Sequence, residues 1–324
     1  MDIKIFFLKC LAILMPLIAS NAYPDVSLQK DGETNQFLFN DWDGTAIKVF
    51  YALPDSINNL AADTPVLFVM TGRKRNADVY RNQWEALAKK YGFIVLAPEF
   101  KWQDYPDEVS YDMGNVFTFK ERLSIPDIKS IKRNKEGAWV FSAIEPLFDF
   151  AVEKFSLQAQ EYSMYGHSSG AGFVHRYLFY KPKARLNSAV AANGAWYLLP
   201  VSHYDYPYGL KGSRITKQML KQAFKRDLTI MFAQKDLGPR KQYHANTPQA
   251  KAQGPHVVSR AMNFFLMSTL ASEQLGDSIN WKIESVPHVG HSNKSMAPYA
   301  VRNLFPKKFK EYIAEASLIG AAND

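Results

Sequence analysis

Three residues far apart in the chain have the types needed for acyl transfer: Ser168, Asp236 and His291. Ser168 stands inside Gly166-His167-Ser168-Ser169-Gly170, a Gly-x-Ser-x-Gly pattern. A serine hydroxyl is a poor nucleophile, so it needs a base within reach and a position clear of its neighbours. The pattern is preceded by the apolar Tyr162-Ser163-Met164-Tyr165 and followed by a helical apolar stretch, Phe173 to Tyr180. A strand, a sharp turn and a helix in that order lift a nucleophile onto a strained elbow. Gly166 and Gly170 omit the side chains that would hold strand and helix apart. The helix N-terminus then brings backbone N–H groups to the reacting carbon. Five residues alone also fit a chance turn; the flanking strand and helix argue for the elbow.

The base expected for Ser168 is His291, with Asp236 fixing the imidazole and stabilising its cation. His291 follows Gly290, which permits a sharp turn, and precedes Ser292, a plausible helix cap. His288 lies three residues earlier and is the alternative base, or a structural residue. The two histidines could suggest a metal pair, but no carboxylate cluster accompanies them, so no metal is expected. His167 is expected to pack inside the elbow and His175 to lie in the core. Asp227 and Asp277 precede strands and so fall at the wrong end; Asp236 follows one. For the oxyanion hole the expected donors are the backbone N–H groups of Ser169 and Arg73. The side chains of Arg73, Lys74 and Arg75 could attract a carboxylate-bearing substrate, or simply be solvated.

These residues need a scaffold, and the apolar pattern supplies one. Gln36 to Trp42 and Ile47 to Leu53 read as strands joined through Asp43-Gly44. Pro65 to Met70 and Phe93 to Pro98 are continuous apolar runs, suited to strands buried on both faces. Ala77 to Lys90 and Ala138 to Phe155 have helical spacing. Further strands are expected at Ser188–Ala192, Leu228–Ala233 and Trp281–Val286, with helix over most of Pro248 to Leu275 and from Met296 to Phe305 and beyond. Alternating strands and helices imply a mainly parallel sheet with helices on both faces, an α/β fold. Reactive residues gather at the carboxyl ends of such strands, and Ser168, Asp236 and His291 all follow strand ends. Lys101 to Gly137 and Pro200 to Ser213 read as loops. Their aromatics, Trp102, Tyr105, Tyr111, Tyr204, Tyr206 and Tyr208, could form a lid or acyl wall, or pack over the sheet.

The 324 residues allow one large α/β domain or two small ones. The net charge is +8, but lysines are scattered and no nucleic-acid motif is present, so a solvated basic surface is expected and no nucleic-acid partner. No Gly-x-Gly-x-x-Gly or phosphate-cradling loop is present, so no nucleotide cofactor is expected. At the N-terminus, Lys4 and Lys9 flank an apolar run, Cys10 to Ala19, followed by Ser20-Asn21-Ala22. This reads as a signal peptide over 1–22, with 23–324 a single domain, secreted or periplasmic and with no stable membrane span after cleavage; an uncleaved anchor is the alternative. Cys10 is the only cysteine and would leave with the signal, so the mature chain has no disulfide.

At these residues the sequence resembles the α/β-hydrolase superfamily, in which Ser, acid and His follow one another in this order. Within it, the chain is similar to secreted bacterial serine esterases of the polyhydroxybutyrate-depolymerase-like group, from about Phe50 to Phe305. Thr71-Gly72-Arg73, Pro98-Glu99-Phe100, the elbow, Asp236 and Gly290-His291-Ser292 carry the resemblance. Many relatives have His-Gly where this chain has Thr71-Gly72; the backbone donor survives that change. The resemblance implies a cofactor-free hydrolase working through an acyl-enzyme on a small or polymeric ester. Two other functions fit the same residues: an amidase or peptidase on the same triad, and a non-catalytic binding protein on a hydrolase scaffold.

Overall fold

The computed structural model describes residues 35–119, 131–238 and 245–321, and side chains up to 314. Residues 1–22, expected to be a signal peptide, lie outside the described residues. From β1 (Gln36–Phe39) and β2 (Ile47–Ala52) the chain runs to β3 (Val66–Met70), α1 (Ala77–Tyr91) and β4 (Ile94–Glu99). A small antiparallel pair, β5 (Phe117–Thr118) and β6 (Lys132–Arg133), lies in the long loop. Then come α2 (Ile144–Lys154), β7 (Tyr162–His167), α3 (Ser169–Tyr180), β8 (Leu186–Ala192), α4 (Lys217–Phe224) and β9 (Asp227–Ala233). The chain continues through α5 (Pro248–Ala252), α6 (Val257–Gln274), β10 (Lys282–Val286), α7 (Asn293–Leu304) and α8 (Pro306–Ala321).

Eight strands form one sheet in the order β1-β2-β4-β3-β7-β8-β9-β10. β2 pairs antiparallel with β1 and β4, and every other pairing is parallel. The burial patterns follow from position. β3 and β7 lie in the middle and are buried at every residue. The edge strands are covered less: β1 leaves Leu38 exposed, and β10 buries only Val286. Alternation sorts side chains between two cores. Val66, Phe68 and Met70 of β3 join Phe148, Phe173 and Phe264, contributed by α2, α3 and α6. Leu67 and Val69 join Trp84, Met296 and Leu304, contributed by α1 and α7. Helices therefore cover both faces.

Local chemistry sets the element ends. α1 stops at Gly92, whose φ of 67° suits glycine and whose N–H donates to the Ala88 carbonyl. The expected helix from Ala138 begins as a 3₁₀ turn, Val140–Ala143, before α2. The expected helical stretch from Pro248 to Leu275 is two helices. Gly254, at φ 145°, ends the first, and a capping box between His256 and Ser259 starts the second. Phe305 ends α7, and Pro306 takes the first position of α8. α4 was not evident from the sequence: it has only eight residues, and its Thr216 cap accepting from the Met219 N–H is its clearest signal.

The parallel strands all end at one edge of the sheet. Thr71, Ser168 and Asn193 immediately follow β3, β7 and β8, and Asp236 and His291 follow β9 and β10. That edge carries the candidate site.

Candidate active site

The elbow is built by close approach. A side chain on Gly166 would run into the Gly170 carbonyl, and one on Gly170 into the Met70 carbonyl. Ser168 sits between them at φ 60° and ψ −116°, a conformation that non-glycine residues rarely adopt. Its N–H donates to the Ala192 carbonyl, and its own carbonyl accepts from the N–H groups of Ala171 and Gly172. The strain is thus held by β8 on one side and by the first turn of α3 on the other. Ser169 is the first residue of α3, so its N–H belongs to the helix N-terminus.

His291 Nδ1 lies 2.7 Å from Asp236 Oδ2, and the Asp236 side chain is nearly fully buried. The two loops are tied together by backbone bonds. The Gln234 N–H donates to the Val286 carbonyl and the Lys235 N–H to the Val289 carbonyl. With Nδ1 engaged by the carboxylate, Nε2 is the ring nitrogen left for exchange with a nucleophile. The His291 ring lies 4.5 Å, centroid to centroid, from His167, the residue before Ser168. Ser292 caps α7, accepting from the Ser295 N–H. The sharp turn is not at Gly290: His288 takes the positive φ, 61°, and its side chain is exposed. Asp227 begins β9 at the opposite edge and pairs with Lys282; Asp277 faces Lys221 and Lys225.

His167 does more than pack. Asn193 Oδ1 accepts from the Ala233 N–H at 2.8 Å, which turns its Nδ2 toward His167 Nε2 at 3.2 Å. Nε2 is therefore an acceptor, and Nδ1 carries the proton toward the Tyr80 hydroxyl at 3.2 Å. Tyr80 also bonds the Gly72 backbone, and burial raises its hydroxyl pKa well above the usual value. One buried network thus joins the turn after β3, the elbow and the strand that delivers Asp236. Asn193 and Tyr80 were missed in the sequence. Asn193-Gly194 after an apolar strand, with Asn193 at φ 52°, was the available signal. His175 is fully buried, as expected, with burial pushing its pKa well down.

The basic turn divides in two. Arg75 is buried: it donates to the carbonyls of Phe100 and Asp107 and stacks 3.7 Å over Tyr111. Tyr111 in turn donates to the Thr71 carbonyl at 2.9 Å. Arg75 therefore clamps the turn and is out of a substrate's reach. Arg73 is half exposed and pairs with Glu108 at 3.3 Å. Arg73, Glu108, Asp112, Ser168, Ser169, Gly172, Ala195 and Trp196 line a small cavity of about 70 Å³. Arg73 and Glu108 also border a neighbouring cavity of about 590 Å³, whose walls include Trp102 and Phe117. Tyr204, Tyr206 and Tyr208 line a separate cavity of about 700 Å³. Tyr105 and Tyr111 are packing residues.

Asp112 is the perturbed group at this site. Burial pushes its carboxyl up to about 7, with Arg176 opposing the shift. The folded protein then holds a proton between about pH 4 and 7 that the unfolded chain has released. Its contribution to stability is present in acid and lost as pH rises through 7. Asn resembles the protonated form, so Asp112→Asn is expected to gain stability relative to wild type between pH 5 and pH 8. The gain is on the order of a few kcal/mol at most. Thermal melts of both proteins across that range check it; a constant difference, or one of the opposite sign, would refute the assignment.

The parallel sheet, the elbow and the histidine–carboxylate pair at its strand ends define an α/β-hydrolase fold. Comparison with known proteins carries this further. A structure of poly(aspartic acid) hydrolase-1 from Sphingomonas sp. KT-1 is 33% identical, with a TM-score of 0.78, over 84% of this chain and 98% of its own. LpqC, a poly(3-hydroxybutyrate) depolymerase from Bordetella parapertussis, is 25% identical, with a TM-score of 0.74, over 85% and 90%. The S-formylglutathione hydrolase FrmB from Staphylococcus aureus shares the fold alone, at 12% identity and a TM-score of 0.51 over 84% and 97%. No family model and no curated protein matches the chain. The chain belongs to the α/β-hydrolase superfamily, in the polyhydroxybutyrate-depolymerase-like group of serine esterases. It is a serine hydrolase of the carboxylic-ester class.

Proposed function

We propose that the protein cleaves carboxylic esters through an acyl-enzyme on Ser168, with His291 as general base and Asp236 as its acid. His291 Nε2 takes the Ser168 proton as Oγ attacks the carbonyl, then returns it to the leaving alcohol. A water activated by the same nitrogen releases the acyl group. The backbone N–H groups of Ser169 and Arg73 stabilise the oxyanion, each typically worth ~10²–10³ in rate. The observation that carries this reading is the 2.7 Å bond between His291 and Asp236, set beside a strained serine elbow. Active-site titration with a fluorophosphonate tests it, followed by p-nitrophenyl esters of increasing chain length. Stoichiometric labelling at Ser168 is expected; folded protein that takes no label would point to the non-catalytic alternative.

An amidase is the second reading. It is favoured by the 33% identical relative, a poly(aspartic acid) hydrolase, because poly(aspartic acid) is joined by amide bonds. The triad chemistry is the same, and only protonation of the leaving group differs. Matched ester and amide substrates separate the two readings. Small and polymeric substrates both remain within this proposal.

Export is part of the proposal. It is supported by the basic flank, apolar run and small residues of the first 22 positions. Among the described residues no helix is long and apolar enough to cross a membrane. The N-terminus of the protein recovered from periplasm or medium is expected to begin directly after Ala22. An N-terminus at Met1 in the membrane fraction would favour the uncleaved anchor instead.

A further inference from the structure

Three aromatic side chains hold the turn after β3, one on each of its residues. Tyr111 donates to the Thr71 carbonyl at 2.9 Å. Tyr80 bonds the Gly72 backbone. Trp102 donates from Nε1 to the Arg73 carbonyl at 2.9 Å. Tyr80 and Tyr111 are buried, whereas Trp102 is half-buried and lines the cavity of about 590 Å³ together with Arg73. The Arg73 guanidinium lies 5.8 Å over the Trp102 indole, and that of Arg75 4.9 Å. Trp102 therefore meets Arg73 twice, at its carbonyl and at its side chain.

The turn needs such support. A Cβ on Gly72 would come 2.8 Å from the Tyr80 hydroxyl and 3.5 Å from Ser168 Cβ, so the turn lies directly against the nucleophile. A glycine at that position leaves the next peptide plane, which carries the Arg73 N–H, loosely restrained by sterics. Hydrogen bonds must fix it instead. The Gly72 carbonyl accepts from the Arg75 N–H at 3.0 Å. The Arg73 carbonyl is held by Trp102. A backbone dipole stabilises an oxyanion well only if it is aimed before the charge forms, because reorienting it during reaction costs free energy. We infer that Trp102 is a positioning residue for the ester reaction: its indole N–H holds the Arg73 carbonyl and so keeps the Arg73 N–H aimed at the developing oxyanion. The inference rests on the acyl-enzyme reading above and adds a residue outside the triad and the oxyanion hole.

Trp102→Phe tests it. Phenylalanine keeps a ring beneath the two guanidinium groups and removes only the N–H. Acylation and deacylation both pass through an oxyanion, so both should slow together. On p-nitrophenyl butyrate kcat is expected to fall about 10-fold, short of the ~10²–10³ for deleting a donor outright. KM should stay within 2-fold of wild type, since the ground state makes less use of the hole. Propyl trifluoromethyl ketone adds to a serine as an oxyanion adduct, so its Ki should rise about 10-fold in parallel with the loss in kcat. Trp102→Leu, which also removes the ring, should lose at least as much kcat. Tyr105→Phe is the control: it removes a 3.4 Å bond to the Thr45 carbonyl from the same loop and should change neither constant. If kcat and Ki stay within 2-fold of wild type in both Trp102 variants, Trp102 does not position the donor. A rise in KM with Ki unchanged would make it a cavity wall only. A loss shared by Tyr105→Phe, with a lowered melting temperature, would make it a structural residue only. Wild type that neither takes a fluorophosphonate nor cleaves the butyrate fails the acyl-enzyme reading itself; wild type that does both leaves that reading standing whatever the variants do.

Discussion

Ser168→Ala is expected to lower kcat on p-nitrophenyl butyrate by about 10⁶-fold and to abolish fluorophosphonate labelling. The oxyanion donors and the binding surface survive that change, so KM should move little and some rate above the uncatalysed reaction should remain. The protein should still fold. Alanine inherits the φ of 60° that serine already tolerates, and the backbone bonds to Ala192, Ala171 and Gly172 do not involve the side chain. Ser168→Gly sharpens the test. Glycine takes this conformation without a Cβ penalty, so the dead glycine variant should be more stable than the dead alanine variant by about 1 kcal/mol. Thermal melts of the two proteins read that difference directly. An alanine variant that keeps more than a few per cent of the rate would remove Ser168 from the mechanism. Equal stability of the two variants would mean that the elbow stores no strain.

Much of the candidate site's placement was legible because it depends on chain order and strand ends. The elbow glycines, the carboxylate three residues past β9 and the histidine five residues past β10 are local features, each readable within a few residues. Continuous apolar runs gave β3, β4, β7 and β9 within a residue or two at each end. What escaped was non-local. Nothing around Tyr80 says that its hydroxyl will meet His167, 87 residues later. Asp112 lies in a loop and Arg176 on an apolar helix face, and each alone reads as an ordinary charge. Only the close packing at Gly172 brings them near one another. The basic turn was ambiguous for the same reason: Arg73 and Arg75 differ by two positions, yet one is half exposed and the other buried against Tyr111. The position of the positive φ, on His288 and not on Gly290, depends on how the loop is pinned to Lys235.

Asp236→Asn is expected to cost about 10⁴-fold in kcat while leaving the fold in place. The carboxylate accepts from His291 Nδ1, so the proton sits on Nδ1, and in the proposed mechanism Nε2 is the nitrogen that accepts from Ser168. An asparagine amide can donate to Nδ1 instead, which moves the ring proton to Nε2. The base is then blocked at the nitrogen that must act, although every heavy atom keeps its place. Removing the negative charge also withdraws stabilisation from the imidazolium formed during attack. The loops that carry both residues stay joined through the Gln234–Val286 and Lys235–Val289 backbone bonds, so the loss should appear in kcat and hardly in KM or melting temperature. Asp227→Asn is the matched control. It removes a carboxylate from the start of the same strand, where it pairs with exposed Lys282, and such pairs contribute little. The control should stay within 2-fold of wild type, the usual scale for a surface change of this kind. If Asp236→Asn retained more than a tenth of the rate, the acid would have to come from another carboxylate. If Asp227→Asn fell as far, the position of the acid at the strand's carboxyl end would not be what matters. A 10⁴-fold loss confined to Asp236 would mean that His291 and Asp236 act as one unit with the elbow serine.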